Sequence, residues 1–278
     1  MAVPALRYCL CIICFLFIMA APAAAQEVVR IGGTGAGLGT MKVIGVAFEK
    51  SHPGVKVIVL PSIGSGGAIK AAAQGALEIG ISGRPLSKDE TGLGLSALEF
   101  ASTPFIPIVH SGVARTGITT GEIVKIYSGE MTLWPNGERI RLVVRPASDV
   151  DTFIVRDISP EMRGAVDAAL SRPGMLTGIN DQQNVALVES TPGAFGFSTL
   201  SQVSTERPKV KMLSWNGVVP SVSALAKGVY PSSKRFFFVT KAPLPAAART
   251  FLEFVRSEKG RKLLEQTGNL PFDRDQRN

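Results

Sequence analysis

The chain is poor in the side chains that carry most covalent and metal chemistry. It has three cysteines and two histidines in 278 residues. Cys9, Cys11 and Cys14 all fall near the start. Beyond them there is no thiol nucleophile, disulfide or thiolate metal site. His52 lies in the turn His52-Pro53-Gly54, and His110 follows an apolar run. Neither sits in a nucleophile–base motif, so both read as surface or hinge residues and Ser-His-Asp catalysis is not expected. Asp149 and Asp151 form a carboxylate pair, but no further ligands stand close enough in sequence to complete a cation site. No metal and no cofactor is therefore expected.

Long blocks of one charge are also missing. The formal charge is +8, but the basic residues are spread along the chain, Lys42, Lys70, Arg139, Arg145 and Lys234 among them. A nucleic-acid arm is excluded on that ground. The scattered lysines and arginines read first as a solvated face, and second as a field that steers small anions towards a cleft.

The one long apolar run is Tyr8–Met19, preceded by Arg7 and followed by Ala20–Gln26, AAPAAAQ. It is too short to span a bilayer. Ala23-x-Ala25 suits a signal peptidase, so residues 1–25 read as a signal peptide, with Ala23 the alternative cleavage point. Leu10 and Ile13 precede Cys11 and Cys14, which removes the small residue that a lipoprotein signal needs. The expectation is a periplasmic protein beginning near Gln26, without lipid anchor. Its roughly 250 residues are enough for one core or two lobes.

What the sequence does have is a pair of glycine/hydroxyl loops. Residues 31–39 read IGGTGAGLG and residues 62–68 read SIGSGGA. Each follows a strand-like run, Val28–Ile31 and Val55–Leu60. Each precedes a helical pattern, with Met41, Ile44, Ala47 and Phe48 on one face of the first, and Ile69, Ala72, Ala73 and Ala76 on one face of the second. Free N–H groups at a helix N-terminus attract anions, and glycine allows close approach. Ordinary strand-to-helix turns favour the same residues, so one loop says little and the pair says more. Neither is a nucleotide loop. Gly39 is followed by Thr40 with no lysine between, and the third glycine of a dinucleotide fingerprint is replaced by Leu38 or Thr40.

Strand, helix, strand, helix and a third strand at Leu77–Ile81 predict a parallel α/β sheet. Residues 86–98 read as a connection or short helix. Thr103–Val109, with two prolines, suits an edge or crossing strand. A second α/β pattern starts at Thr119, where Thr119 and Glu122 have capping-box spacing. It continues through a strand at Ile140–Val144, a helix over Phe153–Ile158 and a strand at Pro192–Ser198. A strand at Arg235–Val239, an amphipathic helix over Ala246–Val255 and a helical stretch around Leu263 and Leu264 close the chain.

The order of these segments resembles the periplasmic phosphate-binding proteins of ABC importers, within the type II solute-binding family. The resemblance is carried by GTGAG at 33–37, AFEKSHPGVKV at 47–57, IGSGGAIKAAAQGALEIGISGRPL at 63–86, EIVKIYSGEMTLWPNG at 122–137, VVRPASDVDTF at 143–153, GAFGFSTL at 193–200 and FLEFVRSEKGRKLLEQTGNLPF at 251–272. It implies an α/β fold of two lobes joined by crossing strands: 26–109 and 226–278 for the first lobe, 110–225 for the second. The ligand would be a small oxyanion, phosphate or a relative, held in the cleft between lobes that close by a hinge. The implied partners are ABC importer membrane subunits or a membrane sensor, with no nucleic acid, and the protein would be a monomer. An exported receptor module and a phosphate-ester enzyme on the same scaffold are the alternatives.

Carried over by position, the resemblance implies that Thr34, Gly35, Ala36, Ser65, the bend at Ser82 with Arg84 beside it, Arg145 and Thr152 meet the anion. Two positions depart from the family. Its aspartate, which accepts the proton of a protonated ligand oxygen, is replaced by Gly83. Its second-lobe pattern Arg-x-Ala-Asp-Gly-Ser-Gly-Thr becomes Arg145-Pro146-Ala147-Ser148-Asp149-Val150-Asp151-Thr152. The first departure predicts tolerance of fully ionised tetrahedral anions. The second leaves two carboxylates, Asp149 and Asp151, free to pair with Arg145 or to serve as acceptors from the other lobe.

Overall fold

The computed structural model describes residues 26–272, so the predicted signal peptide lies outside the described residues. The first α/β unit opens with β1 (Glu27–Gly33), α1 (Gly35–Ser51), β2 (Val55–Val59), α2 (Gly64–Ala73), β3 (Ile79–Ser82) and a short α3 (Lys88–Thr91). Of the expected helix faces, Met41, Ile44, Phe48, Ile69 and Ala72 are buried and Ala47 and Ala73 half-buried, but Ala76 is exposed and lies beyond the end of α2. β4 (Leu95–His110) then runs the length of both units. The second unit contains β5 (Gly117–Ile118), α4 (Thr120–Ser128), β6 (Arg141–Val144), α5 (Val150–Arg156), α6 (Pro160–Ser171), β7 (Leu176–Thr177), α7 (Asp181–Ser190), β8 (Ala194–Thr199), α8 (Leu200–Glu206), β9 (Val210–Met212), β10 (Ser214–Trp215) and α9 (Val222–Ala226). The chain returns to the first unit with β11 (Ser233–Lys241), α10 (Ala246–Arg256), α11 (Glu258–Gln266) and β12 (Leu270–Pro271).

One sheet runs in the order β2-β1-β3-β11-β4-β8-β6-β7. β1 is parallel to β2 and β3, as the alternation of strand and helix predicts. β11 lies antiparallel between β3 and β4. β4 is thus the crossing strand, and its two prolines stand mid-sheet rather than at an edge. Residues 95–104 of β4 pair with β11, and Phe105–Val109 pair with β8. Pro104 and Pro107 fall near this change of partner.

Two hydrophobic cores flank the crossing. One gathers Ile31, Met41, Phe48, Ile79, Phe238 and Phe251. The other gathers Phe105, Tyr127, Val143, Val166, Phe195 and Trp215. Four helices of the second unit, α6, α7, α8 and α9, have no counterpart among the expected helices. α7 is weakly amphipathic, whereas α6 buries Met162, Ala165, Val166 and Ala169 at helical spacing; both have a start signal, for Pro160 sits in the first turn after Ser159 and Asn180 accepts a hydrogen bond from the Gln183 N–H at 2.8 Å.

Candidate functional site

The first glycine loop is built as the sequence predicts, and it needs its glycines. Gly33 has φ +148, and a Cβ there would lie 2.0 Å from the carbonyl oxygen of Ile81. This lets β1 turn directly into α1, whose N-cap is Thr34. Thr34 does not cap its own helix. Its hydroxyl reaches Asp181 Oδ2 at 3.3 Å, and the Gly35 N–H donates to the same oxygen at 2.8 Å. The oxyanion at this helix N-terminus is therefore a carboxylate of the chain itself, brought from the second unit. Asp181 is the first residue of α7, so it also benefits from the positive end of its own helix.

Asp181 is held from the other side by Lys234 of β11. Lys234 Nζ donates to Asp181 Oδ1 at 3.0 Å and forms an ion pair with Asp151 Oδ1 at 2.6 Å. All three side chains are buried, Lys234 to 1% exposure. This overturns the reading of Lys234 as part of a solvated basic face. Strand alternation places it on the same side as Phe236, inside the molecule.

Arg145 directly follows β6 and is 8% exposed. It donates to Asp149 through Nε at 3.2 Å and Nη2 at 2.6 Å, and to the Gly178 carbonyl at 2.7 Å. Its Nε lies 3.8 Å from Asp151 Oδ2. Asp149 in turn caps α5, accepting from the Asp151 N–H at 2.9 Å. The predicted alternative, Arg145 paired to its own loop, is what the structure shows.

The buried cluster thus contains Arg145 and Lys234 against Asp149, Asp151 and Asp181. With all five ionised it carries one net negative charge. The N-termini of α1, α5 and α7 help to offset it. Burial pushes the Asp151 carboxyl up to about 6, with Asp181 and Asp149 adding repulsion that Lys234 and Arg145 only partly relieve. Burial acts on Asp181 too, but Lys234, Arg145 and the Gly35 N–H outweigh it and hold that carboxyl below its usual range. Lys234 resists the neutralising effect of burial because the two carboxylates hold its proton.

The remaining sequence-predicted residues divide. Ser65, near the start of α2, is buried and accepts a hydrogen bond from the Gly83 N–H at 2.8 Å. A Cβ on Gly83 would lie 3.0 Å from Lys234 Cε and 3.3 Å from Val150 Cγ1, so this bend adjoins the cluster. Ala36 is buried in the first turn of α1. Three others are engaged by partners close to them in sequence. The Ser82 hydroxyl donates to the Arg84 carbonyl at 2.7 Å. Arg84 is engaged by Glu90 through both terminal nitrogens, each at 2.7 Å. The Thr152 hydroxyl donates back to the Pro146 carbonyl at 2.8 Å. Sequence reasoning missed Asp181 and Lys234 as site residues.

Beside Arg145 is a cavity of about 20 Å3, lined by Phe105, Tyr127, Asp151, Thr152 and Asn184 among others. That is room for about one water, not for a tetrahedral anion. Among the described residues no group of histidine, cysteine and acidic side chains is arranged to hold a metal ion, and no helix is long and apolar enough to cross a membrane. Lys234 occupies the place between Asp151 and Asp181 where a cation would otherwise stand.

Two α/β units sharing a crossing strand, with polar groups from both converging between them, define a binding-protein scaffold. The chain belongs to the PBP superfamily, whose domain matches residues 20–259. It is 27% identical over 236 residues to the phosphate-binding protein PstS of Bacillus subtilis, covering 81% of this chain and 74% of that protein. Its fold is similar to that of a phosphate ABC transporter substrate-binding protein from Clostridium perfringens, solved with bound phosphate. The TM-score is 0.76 at 23% identity, covering 89% of this chain and 100% of the other. An ABC-type phosphate transport receptor from Vibrio cholerae superposes with a TM-score of 0.61 at 22% identity, over 87% of this chain and 99% of that one. These likenesses agree with the expected type II solute-binding fold.

Proposed function

We propose that the protein is an exported solute-binding protein that captures a small oxyanion, phosphate being the first candidate, between its two units and delivers it to an ABC importer. The observation that carries this reading is the seat at the start of α1. It already holds an oxyanion group, the Asp181 carboxylate, on the Gly35 N–H and the Thr34 hydroxyl. A tetrahedral oxyanion presents the same acceptor oxygens. Arg145 and Lys234 supply the cations around that seat, and Ser65 completes the first-unit side. The names of the relatives support phosphate as the ligand.

In this reading residues 26–109 and 226–278 form one lobe and 110–225 the other, with β4 and the stretch leading into β11 as the crossings, where Phe105, Val109 and Tyr230 pack into the second core. The protein works as a periplasmic monomer after loss of residues 1–25, and it binds without turning its ligand over. Isothermal titration of the chain beginning at Gln26 with inorganic phosphate tests the function. Saturable one-to-one binding is expected. No heat and no thermal stabilisation at millimolar phosphate would overturn it, and hydrolysis of phosphate esters by the pure protein would favour the enzyme reading instead.

A further inference from the structure

The groups that the oxyanion reading assigns to the ligand are not waiting empty-handed. Each already has a partner inside the chain. Gly35 and Thr34 of the first unit hold Asp181 of the second. Lys234 of β11 holds Asp151 and Asp181. Arg145 is held by Asp149 and the Gly178 carbonyl. Beside this set Gln182, the neighbour of Asp181, donates to the Gly35 carbonyl at 3.2 Å, and a Cβ on Gly35 would lie 2.2 Å from Gln182 Oε1. The start of α7 is thus packed closely against the start of α1.

We propose that Asp181 is a built-in competitor of the ligand: its carboxylate fills the oxyanion seat of α1, and an incoming oxyanion binds only by displacing it. This rests on the oxyanion reading of the cleft. Three features make the role specific. The carboxylate makes the hydrogen bonds of a ligand, from a helix N-terminal N–H and its adjoining hydroxyl. It belongs to the opposite unit, so separation of the units withdraws it and return of the units reseats it. It is also one of three carboxylates around two cations, so leaving it in place beside a bound dianion would stack like charges in a buried site.

Gly83 fits the same scheme. The stem of Lys234 passes against it, with Cε at 3.0 Å from a Cβ built there. A glycine at this bend gives the lysine its path to Asp181. The absence of a side chain at position 83 and the path of the buried lysine beside it are thus sterically matched.

The test is the phosphate affinity of Asp181→Asn and Asp181→Ser, measured by titration against the parent chain beginning at Gln26. Asparagine keeps the shape and removes the charge. Serine removes the competing group and remains a good residue for a helix start, which covers the case in which the amide variant folds poorly. Phosphate binding about tenfold or more tighter in either folded variant is expected. Structural damage does not produce a gain of affinity. If the parent binds phosphate and both folded variants bind it equally or more weakly, Asp181 is not a competitor and the oxyanion reading stands without it. If neither parent nor folded variants bind phosphate, the oxyanion reading itself falls.

Discussion

Lys234→Met isolates the energetics of the buried cluster. Methionine keeps an unbranched apolar stem of similar length, so packing against Gly83 changes little. What is lost is the positive charge between two carboxylates, at 2.6 Å from Asp151 and 3.0 Å from Asp181. Removing one partner of a buried ion pair typically costs 3–5 kcal/mol. Here the cluster has one escape, protonation of Asp151, which burial has already pushed up to about 6. At pH 7.5 that proton is taken up against a gradient worth roughly 2 kcal/mol, at 1.36 kcal/mol for each pH unit. At pH 5 the proton is already bound in the parent protein, so this part of the cost disappears. The variant should therefore be about 4 kcal/mol less stable than the parent at pH 7.5 and about 2 kcal/mol less stable at pH 5. Urea unfolding of both proteins at the two pH values measures this from the midpoints, provided the slopes agree. A loss below about 1 kcal/mol at pH 7.5, or a larger loss at pH 5 than at pH 7.5, would refute the picture of Lys234 as the buried counter-ion of two aspartates.

Two further outcomes follow from the same cluster. Asp151 binds its proton more tightly folded than unfolded, because its carboxyl rises from 3.8 to about 6. Its contribution therefore favours the folded state as pH falls through 6 towards 4. The melting temperature of the parent minus that of Asp151→Asn should grow between pH 7.5 and pH 5, and a difference that stays flat or shrinks counts against the assignment. Arg145→Ala should weaken phosphate binding about tenfold or more, while Arg139→Ala, on an exposed turn, should not. Equal effects of the two in titration would remove Arg145 from the ligand's surroundings.

How far the sequence discloses these arrangements depends on whether the signal is local. Gly33, Thr34 and Gly35 announce a tight entry into α1, and the strand before them fixes where it points. The capping box of Thr119 and Glu122 is present with both hydrogen bonds. Lys234 is different. In a list of charges it looks like surface, and only its spacing from Phe236 and Phe238 puts it on the buried face of β11. Even that pattern does not name its partners, which lie far away in sequence on α5 and α7. Asp181 had a weaker trail still. Asn180 and Gln183 mark the start of α7, but the helix is barely amphipathic, and nothing local says that its first turn meets α1. Long-range pairing of charges is decided by the tertiary fold, so the resemblance supplied the seat while the structure supplied its occupant.

Position 83 shows how the two kinds of knowledge interact. Read alone, the glycine removes an acidic acceptor and predicts a site open to fully ionised anions. The fold brings three aspartates to the same place from the second unit, so acidic groups are abundant rather than missing. A fully ionised anion would meet more negative charge here, not less, unless Asp181 leaves and Asp151 takes up a proton. The chemistry of the bridge also suits the opening and closing that the proposed function requires. Apolar groups of similar size would hold the two units together at least as well as a buried ionic cluster. An apolar seam, however, exposes hydrocarbon to water whenever it opens. Lys234, Asp151 and Asp181 regain their hydration on opening, and this offsets much of the attraction they give up. A buried bridge of charges can therefore be specific when shut and inexpensive to break, which is the behaviour required of a contact that a ligand must displace.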